Sequence, residues 1–239
     1  MRRSTRDCSF LGRTKRSFVD TLPFADVQQF IAALEAFTTD ERRARLTTVI
    51  GDRLDAVTVV MDAPHDPHNG AAVVRSCDAF GVQRLHVVER REGFLSANSV
   101  SKGSERWVEV HAYRSAKDAI ERLRDEGREL LGTHPTGELA PEDLRGIGKM
   151  ALVLGNERDG ISGELSSACT RAVRIPMRGF AESLNVSVTA AILLSHATAG
   201  RAGDLGSDER ARLYLRALFF TLPRAPEVLA AQGLHLPDA

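Results

Sequence analysis

Short apolar runs rich in β-branched residues alternate with stretches of helical spacing from residue 57 onward. Six runs are typical of strands and lie at 57–61, 84–88, 107–111, 129–133, 150–155 and 172–176. Helical patterns stand between most of them, at 70–80, 116–126, 162–169 and 186–199. Strands that are apolar almost throughout and are separated by helices are typical of a parallel sheet covered on both faces. The pattern predicts an α/β fold with a mostly parallel sheet and helices on both faces.

Helical extensions flank the predicted sheet domain, which we place at residues 54–200. The segment 1–53 is basic and contains two helical patterns, DVQQFIAALEAF and TDERRARLTTVIG. Thr39 or Asp40 is the expected cap of the second helix, because short polar side chains accept hydrogen bonds from a helix's first turn. The segment 201–239 contains a last helical pattern, DERARLYLRALFFTL.

Charge is balanced over the whole chain but unevenly distributed along it. The 239 residues include 32 Lys and Arg against 32 Asp and Glu, so there is no bulk attraction to a polyanion. Residues 1–16 nevertheless carry six basic side chains against one acidic one, and Arg42, Arg43 and Arg45 form a second cluster. A solvated tail is the more frequent explanation of a terminal charge run, and an RNA-contacting arm is the alternative.

The sequence indicates neither a membrane span nor a metal site. No apolar stretch approaches the ~20 residues of a membrane span, and the N-terminus lacks the apolar core of a secretory signal, so we expect a soluble cytoplasmic protein. Cys8, Cys77 and Cys169 are far apart and indicate neither a zinc site nor a disulfide framework. His65 and His68 have no third convergent ligand in sequence, so loop capping is favoured over a metal site.

Ligands of an open parallel sheet bind at the carboxyl ends of its strands, so the loops there hold the candidate chemistry. Neither G-x-G-x-x-G nor G-x-x-x-x-G-K-S/T occurs, which argues against a dinucleotide site and a P-loop. After the first strand, Asn69 stands where a helix is expected to begin. Arg75 on that helix can lean back toward the loop of His68 and Asn69. A surface pair between Arg75 and Asp78 is the alternative.

Two further loops carry polar residues next to glycines or a helix start. In LGNERDGIS, residues 154–162, Glu157 is the carboxylate between two glycines, although a turn into a helix capped at Ser162 explains the stretch nearly as well. In the third loop, Ser183 and Asn185 directly precede a helical pattern. Either of them is a candidate N-cap, and a role in a site is the alternative.

Three stretches together resemble a known family. In order and separation, HNGAAVVR, LVLGNERDGIS and IPMRGFAESLNVSVTAAI are similar to the three motifs of the SpoU-TrmH RNA ribose 2′-O-methyltransferases of the SPOUT superfamily. The resemblance covers roughly residues 40 to 200. It implies a trefoil knot near the C-terminal end of the sheet domain, built from the loops after Leu131, Leu154 and Ile175. It also implies S-adenosylmethionine as the cofactor, bound by the knot, and a homodimer.

The resemblance assigns roles to ten residues. Cofactor contacts are expected from backbone and apolar groups at Thr133, Gly155, Ile175, Met177 and Leu184. Arg75 is expected to be catalytic beside the ribose 2′-hydroxyl, and the polar set is completed by Asn69, Glu157, Ser183 and Asn185. A guanidinium rarely gives up its proton, so Arg75 either acts as a base after contacting a phosphate or binds a phosphate and polarises the hydroxyl.

Within the family, the chain is most similar to the tRNA enzymes that methylate a guanosine in the D-loop, at position 18. The arginine-bearing segment ERRARL before the first strand and the C-terminal helical extension carry this similarity. It implies RNA contacts from Arg42, Arg43 and Arg45. Ribosomal RNA or another tRNA position is an alternative substrate. A non-catalytic RNA-binding SPOUT protein is the alternative from a different class.

Overall fold

A computed structural model describes residues 19–234 of the chain, apart from residue 21 and residues 90–103. The basic segment 1–16, predicted as a tail or an RNA-contacting arm, therefore lies outside the described residues. The strands are β1 (Leu54–Asp62), β2 (Val82–Val88), β3 (Glu109–Tyr113), β4 (Glu129–Thr133), β5 (Met150–Leu154) and β6 (Arg171–Val173). The helices are α1 (Phe24–Glu35), α2 (Asp40–Gly51), α3 (Pro67–Ala79), α4 (Ala116–Asp125), α5 (Gly163–Ala168), α6 (Val186–Thr198), α7 (Ser207–Thr221) and α8 (Ala225–Ala231).

The strands form one sheet in the order β3-β2-β1-β5-β4-β6, and every pairing among the described strands is parallel. Successive side chains of a strand point to opposite faces, so Val59 joins one apolar cluster and Val60 the other. The first cluster includes apolar residues of α3 and α6, and the second those of α4 and α5. The predicted parallel α/β sheet with helices on both faces is confirmed.

Helix α3 begins earlier than predicted. Pro67 occupies its first turn, where a backbone N–H would have no partner within the helix, so proline costs no hydrogen bond there. The Asp66 carboxylate caps the helix by accepting a bond of 2.8 Å from the backbone N–H of His68. The expectation that the helix starts at Asn69 is therefore wrong, because a better cap and a proline stand just before it. Asn69 lies in the first turn, and its side chain remains available for other partners.

The described residues fall into two compact units. The sheet unit spans Leu54–Ala202, and the helical unit combines the described residues before Leu54 with those from Gly203 onward. In the helical unit, α1, α7 and α8 share an apolar cluster that includes Leu34, Leu218 and Leu229. Thr39 caps α2 as predicted, since its hydroxyl accepts a bond from the N–H of Arg42. Helix α8 was not predicted.

Arginines hold the helical unit together from within. Arg212 donates from Nη1 to the backbone carbonyls of Val19 and Leu22, at 2.7 and 2.9 Å. Arg216 is almost entirely buried and pairs with Asp20 at 2.8 Å. Buried charges are tolerated only when they are paired and hydrogen-bonded, so these side chains serve the local fold.

Neither a membrane span nor a metal cluster is found in the part of the chain that the structure describes. No helix there combines the length and the apolar character needed to cross a bilayer. No three His, Cys, Asp or Glu side chains there lie close enough to hold a metal ion. Cys77 and Cys169 are free thiols.

Candidate active site

A cavity of about 800 Å³ lies at the carboxyl ends of β4, β5 and β6. Its walls are the loop after β4, the loop after β5, and the segment from the end of β6 into the first turn of α6. This is the edge of an open parallel sheet at which ligands bind. Its volume is in the range of cavities that enclose small organic ligands.

The loop after β4 wraps around the end of β6. The N–H of His134 donates to the carbonyl of Val173 at 3.1 Å, and the N–H of Leu139 donates to the carbonyl of Ala172 at 3.0 Å. The N–H of Arg174 then donates back to the carbonyl of Leu139 at 3.0 Å. Two walls of the cavity are therefore joined by backbone hydrogen bonds, which fixes their separation.

The loop after β5 is a tight turn that only glycine permits at its start. A Cβ added to Gly155 would lie 2.3 Å from the carbonyl carbon of Gly160 and 2.5 Å from the nitrogen of Ile161. The buried Asn156 holds this turn, since its side-chain Oδ1 accepts bonds from the N–H groups of Arg158 and Asp159. Asn156 was missed from sequence, although an asparagine two residues before an Arg-Asp-Gly turn is a recognised turn signal.

All five residues predicted to contact the cofactor line this cavity: Thr133, Gly155, Ile175, Met177 and Leu184. Three of the five predicted catalytic residues line it as well: Glu157, Ser183 and Asn185. Separate loops contribute these residues, so their convergence is a product of the fold and not of proximity in sequence.

Asn69, Glu157 and Asn185 form a hydrogen-bonded chain that connects three loops. The Nδ2 of Asn185 donates to Oδ1 of Asn69 at 3.0 Å, and the Nδ2 of Asn69 donates to Oε1 of Glu157. Asn185 also caps α6, because its Oδ1 accepts bonds from the N–H and the hydroxyl of Ser187. One side chain therefore caps α6 and also lines the cavity, as a cap and a site residue would each require. Ser183 is not the cap.

Arg75 is placed differently from the other four. It is exposed on α3, six residues after Asn69, and does not line the cavity. Within the described residues its side chain has no hydrogen bond or ion pair, so the alternative of a pair with Asp78 is not observed either.

The three arginines predicted to contact RNA lie on α2 in unlike surroundings. Arg43 is paired with Asp40 and also donates to the carbonyl of Glu35, and the hydrogen bond to Asp40 raises the pKa of Arg43 above its ordinary value. Arg42 donates to the carbonyl of Thr221 at 3.3 Å. Arg45 is exposed, and no residue of the described ranges pairs with it.

Comparison with known proteins identifies the family. The model described as "SpoU rRNA Methylase family" matches residues 56–195, which include every loop of the cavity. This chain belongs to the SpoU rRNA methylase family. The predicted family resemblance is thereby confirmed.

The chain is also similar to named RNA methyltransferases and to solved structures of other proteins. A tRNA (guanosine(18)-2′-O)-methyltransferase of Borreliella burgdorferi is 34% identical over 71% of this chain and 78% of that protein. Another, of Thermus thermophilus, is 34% identical over 73% of this chain and 90% of that protein. The structure of the A. aeolicus TrmH/SpoU tRNA modifying enzyme has a TM-score of 0.66 at 26% identity and covers 77% of this chain and 98% of its own.

A second SpoU structure contains a cofactor. The methyltransferase AviRb from Streptomyces viridochromogenes, in complex with AdoMet, has a TM-score of 0.54 at 30% identity. The match covers 64% of this chain and 62% of that one.

Proposed function

We propose that this SpoU methylase transfers the methyl group of S-adenosylmethionine to the ribose 2′-hydroxyl of a guanosine in the tRNA D-loop, at position 18. The observation that carries the proposal is the cavity itself. The predicted cofactor residues line it, and the hydrogen-bonded chain from Asn185 through Asn69 to Glu157 reaches it, in a protein whose relatives are named for this reaction.

The walls of the cavity fit the cofactor. A side chain at Gly155 would meet the backbone of Gly160 and Ile161, so glycine there allows the tight turn that forms this wall of the cavity. Ile175 and Leu184 supply apolar contacts, and the hydroxyl of Thr133 is held by the carbonyl of Val153 at 3.2 Å. S-adenosylmethionine has no phosphate, which agrees with the absence of a glycine-rich phosphate loop from the sequence. Bound there, it supplies an electrophilic methyl group.

The protein must align the hydroxyl and remove its proton, because the sulfonium loses its charge as the methyl group leaves. Glu157 is the carboxylate of the cavity that Asn69 orients, so we assign it the proton. Arg75 is exposed, and a guanidinium matches the geometry of a phosphate, so we assign it to a phosphate of the RNA. Of the two roles open from sequence, the placement of Arg75 favours phosphate binding.

A homodimer belongs to the proposal. Helix α6 leaves Val188, Ala191, Ile192 and Ser195 outside the buried core of the sheet unit, and Val188 is 45% exposed. Small and branched side chains in one stripe suit close packing against a second helix. Light scattering at micromolar concentration should give twice the chain mass, and Val188→Asp should halve it. A monomeric wild type that retains activity would contradict the dimer.

We also propose that the sheet unit contains the trefoil knot and that the protein is cytoplasmic. Both ends of the loop after β4, at His134 and Leu139, are hydrogen-bonded to the backbone at the end of β6, which supports a chain that passes through that loop. A crystal structure traced through residues 130–190 tests the knot. With tRNA as substrate, the proposal assigns the protein to the cytoplasm.

The decisive experiment is methyl transfer to defined RNA. Cofactor labelled on its methyl group is incubated with a tRNA transcript, with the same transcript carrying adenosine at position 18, and with ribosomal RNA fragments. We expect an alkali-resistant labelled dinucleotide from the first transcript only. Label in ribosomal RNA alone would mean that ribosomal RNA, and not tRNA, is the substrate. Label on bases would overturn ribose methylation. RNA binding without methyl transfer would favour a non-catalytic protein.

A further inference from the structure

Phe180 is the most exposed large apolar side chain of the described residues. Its relative exposure is 109%, whereas Phe24 and Phe37, the other exposed phenylalanines in that part of the chain, have 47% and 58%. A whole aromatic ring in water forgoes the free energy that burial would provide. Beside a ligand cavity, a fully exposed aromatic ring is free to contact a bound molecule.

Phe180 stands at the rim of the cavity. Met177 precedes it and Ala181 follows it, and both line the cavity, whereas residues 178–180 do not. The chain bends at Gly179 and Phe180, and a Cβ added to Gly179 would meet no atom within 4 Å. The Phe180 ring therefore lies on a segment next to the cavity, and its own exposure leaves it accessible.

Exposed positive charge accompanies this ring. Arg174 lines the cavity and Arg178 lies two residues before Phe180, and both are exposed. Neither guanidinium has a hydrogen bond or ion pair within the described ranges. Glu182 is the acidic residue of the same loop. Two available guanidinium groups and an exposed ring match unpaired RNA, whose phosphates bind arginine and whose bases stack on aromatic faces.

We propose that Phe180 stacks on the base of the nucleotide whose ribose enters the cavity, and so acts as a positioning residue. This inference rests on the proposed function. A base is one glycosidic bond from its ribose, so a ribose at the cavity mouth brings its base to the rim. Stacking there restricts rotation of the nucleotide and holds the 2′-hydroxyl toward the cavity.

A double-mutant cycle between protein and RNA tests the stacking. Wild type and Phe180→Ala are titrated with two tRNA transcripts, one intact and one with an abasic ribose at the target position. Phe180→Ala should weaken binding to the intact transcript about tenfold. It should change binding to the abasic transcript less than about twofold, because the base that it stacks on is gone.

Two further variants complete the experiment. Phe180→Trp should restore most of the affinity, since an indole also presents a stacking face, whereas Phe24→Ala should bind both transcripts as the wild type does. Unchanged affinity of Phe180→Ala, or an equal loss on both transcripts, would overturn the stacking. A lower molar mass of Phe180→Ala in light scattering would also overturn it, in favour of a contact with a second copy. The cycle is read by affinity alone, so a wild type that binds but transfers no methyl group counts against the proposed function instead.

Discussion

Helix α7 of the helical unit and the cavity loop of the sheet unit use arginine in opposite ways. In the helical unit, Arg212 and Arg216 are bound to carbonyls and a carboxylate of that unit. On the cavity loop of the sheet unit, Arg174 and Arg178 are exposed, and no described residue pairs with them. A count of basic residues along the chain treats all four alike. The partners of each side chain, and not the local charge density, therefore indicate which arginines remain available to a polyanion.

Each unit contains a glycine with no room for a side chain, and the one in the sheet unit supports the prediction with the largest effect. Gly155→Ala should reduce S-adenosylmethionine affinity more than a hundredfold, because its Cβ would meet backbone atoms of the cavity loop at 2.3 Å. Isothermal titration measures this. Gly146→Ala is the control, since its Cβ meets nothing within 4 Å. Near-normal binding by Gly155→Ala would remove this loop from the cofactor site.

Gly203 is the matching position in the helical unit. Its Cβ would lie 1.8 Å from the carbonyl oxygen of Gly51, so Gly203→Ala should lower the melting temperature. Cofactor affinity at 25 °C should stay within about twofold, because both residues belong to the helical unit. A comparable loss of cofactor affinity in Gly203→Ala would show that cofactor binding does not depend on the sheet unit alone.

The second prediction concerns the hydrogen bonds that Asn69 makes to Glu157 and Asn185. Asn69→Ala removes the donor to Glu157 and the acceptor for Asn185, so kcat should fall about a hundredfold. Cofactor affinity should change little, since Asn69 does not line the cavity. Single-turnover methylation and a titration measure the two quantities. Asn69→Asp keeps an acceptor for Asn185 but loses the donor, and a rate near wild type for that variant would show that Glu157 needs no orienting bond.

The third prediction concerns the pH dependence of stability in the sheet unit. Every histidine of the described residues lies in that unit. Burial, followed by the nearby His111, lowers the pKa of His86 to about 3. Unfolded chains take up this proton below about pH 6.5, so the free energy of unfolding should decrease as the pH falls from 6.5 toward 3. The slope for one proton is at most about 1.4 kcal/mol per pH unit.

The measurement is urea unfolding of the wild type and of His86→Gln at pH 7 and pH 5. Glu126 adds a loss only below about pH 4.5, since hydrogen bonds from Arg128 and Arg122 outweigh its burial and lower its pKa to about 2. The wild type should lose more stability between pH 7 and pH 5 than His86→Gln does. Equal losses would mean that His86 is not the group responsible.

The smallest expected effect concerns the arginines of α2. Arg45→Ala should reduce the slope of log affinity for tRNA against log salt by about one unit, as expected for one phosphate contact. Arg43→Ala should reduce it by less, because Asp40 already engages that guanidinium. Filter binding across a series of salt concentrations measures both. The reverse order of the two slopes would mean that ion pairs within the unit do not decide RNA contacts.

Strand and helix positions were predictable because apolar periodicity reports burial directly. The predicted run 129–133 coincides with β4, and the expected helix at 186–199 is α6 within one residue. The strand order was not predictable, since β1 joins β5 through pairing that leaves no local pattern. Helix α8 was missed because it is short and follows Arg224, whose left-handed conformation with φ of 62° nothing in the sequence announces.

The candidate site was partly predictable for a related reason. Asn69, Glu157 and Asn185 follow separate strands, and strand ends meet at one edge of a parallel sheet, so their meeting follows from the fold class. The bonds among them depend on side-chain rotamers, which spacing does not encode. Neither the exposure of Phe180 nor the pairing of Arg43 could be deduced, because both depend on which neighbours are present in three dimensions.

The pairing of β1 with β5 also has a consequence for the order in which the protein acquires structure. Val59 lies opposite Leu152, so the central strand pair of the sheet can form only after a segment more than ninety residues later has been synthesised. Parallel pairing across such a separation requires a large loop to close first, which slows folding. During synthesis, β1 and β2 emerge long before their central neighbour, and the segment after β6 that completes the cavity emerges later still. Affinity for the cofactor therefore arises only once the whole sheet unit has been made, so a nascent or truncated chain gains no stabilisation from it.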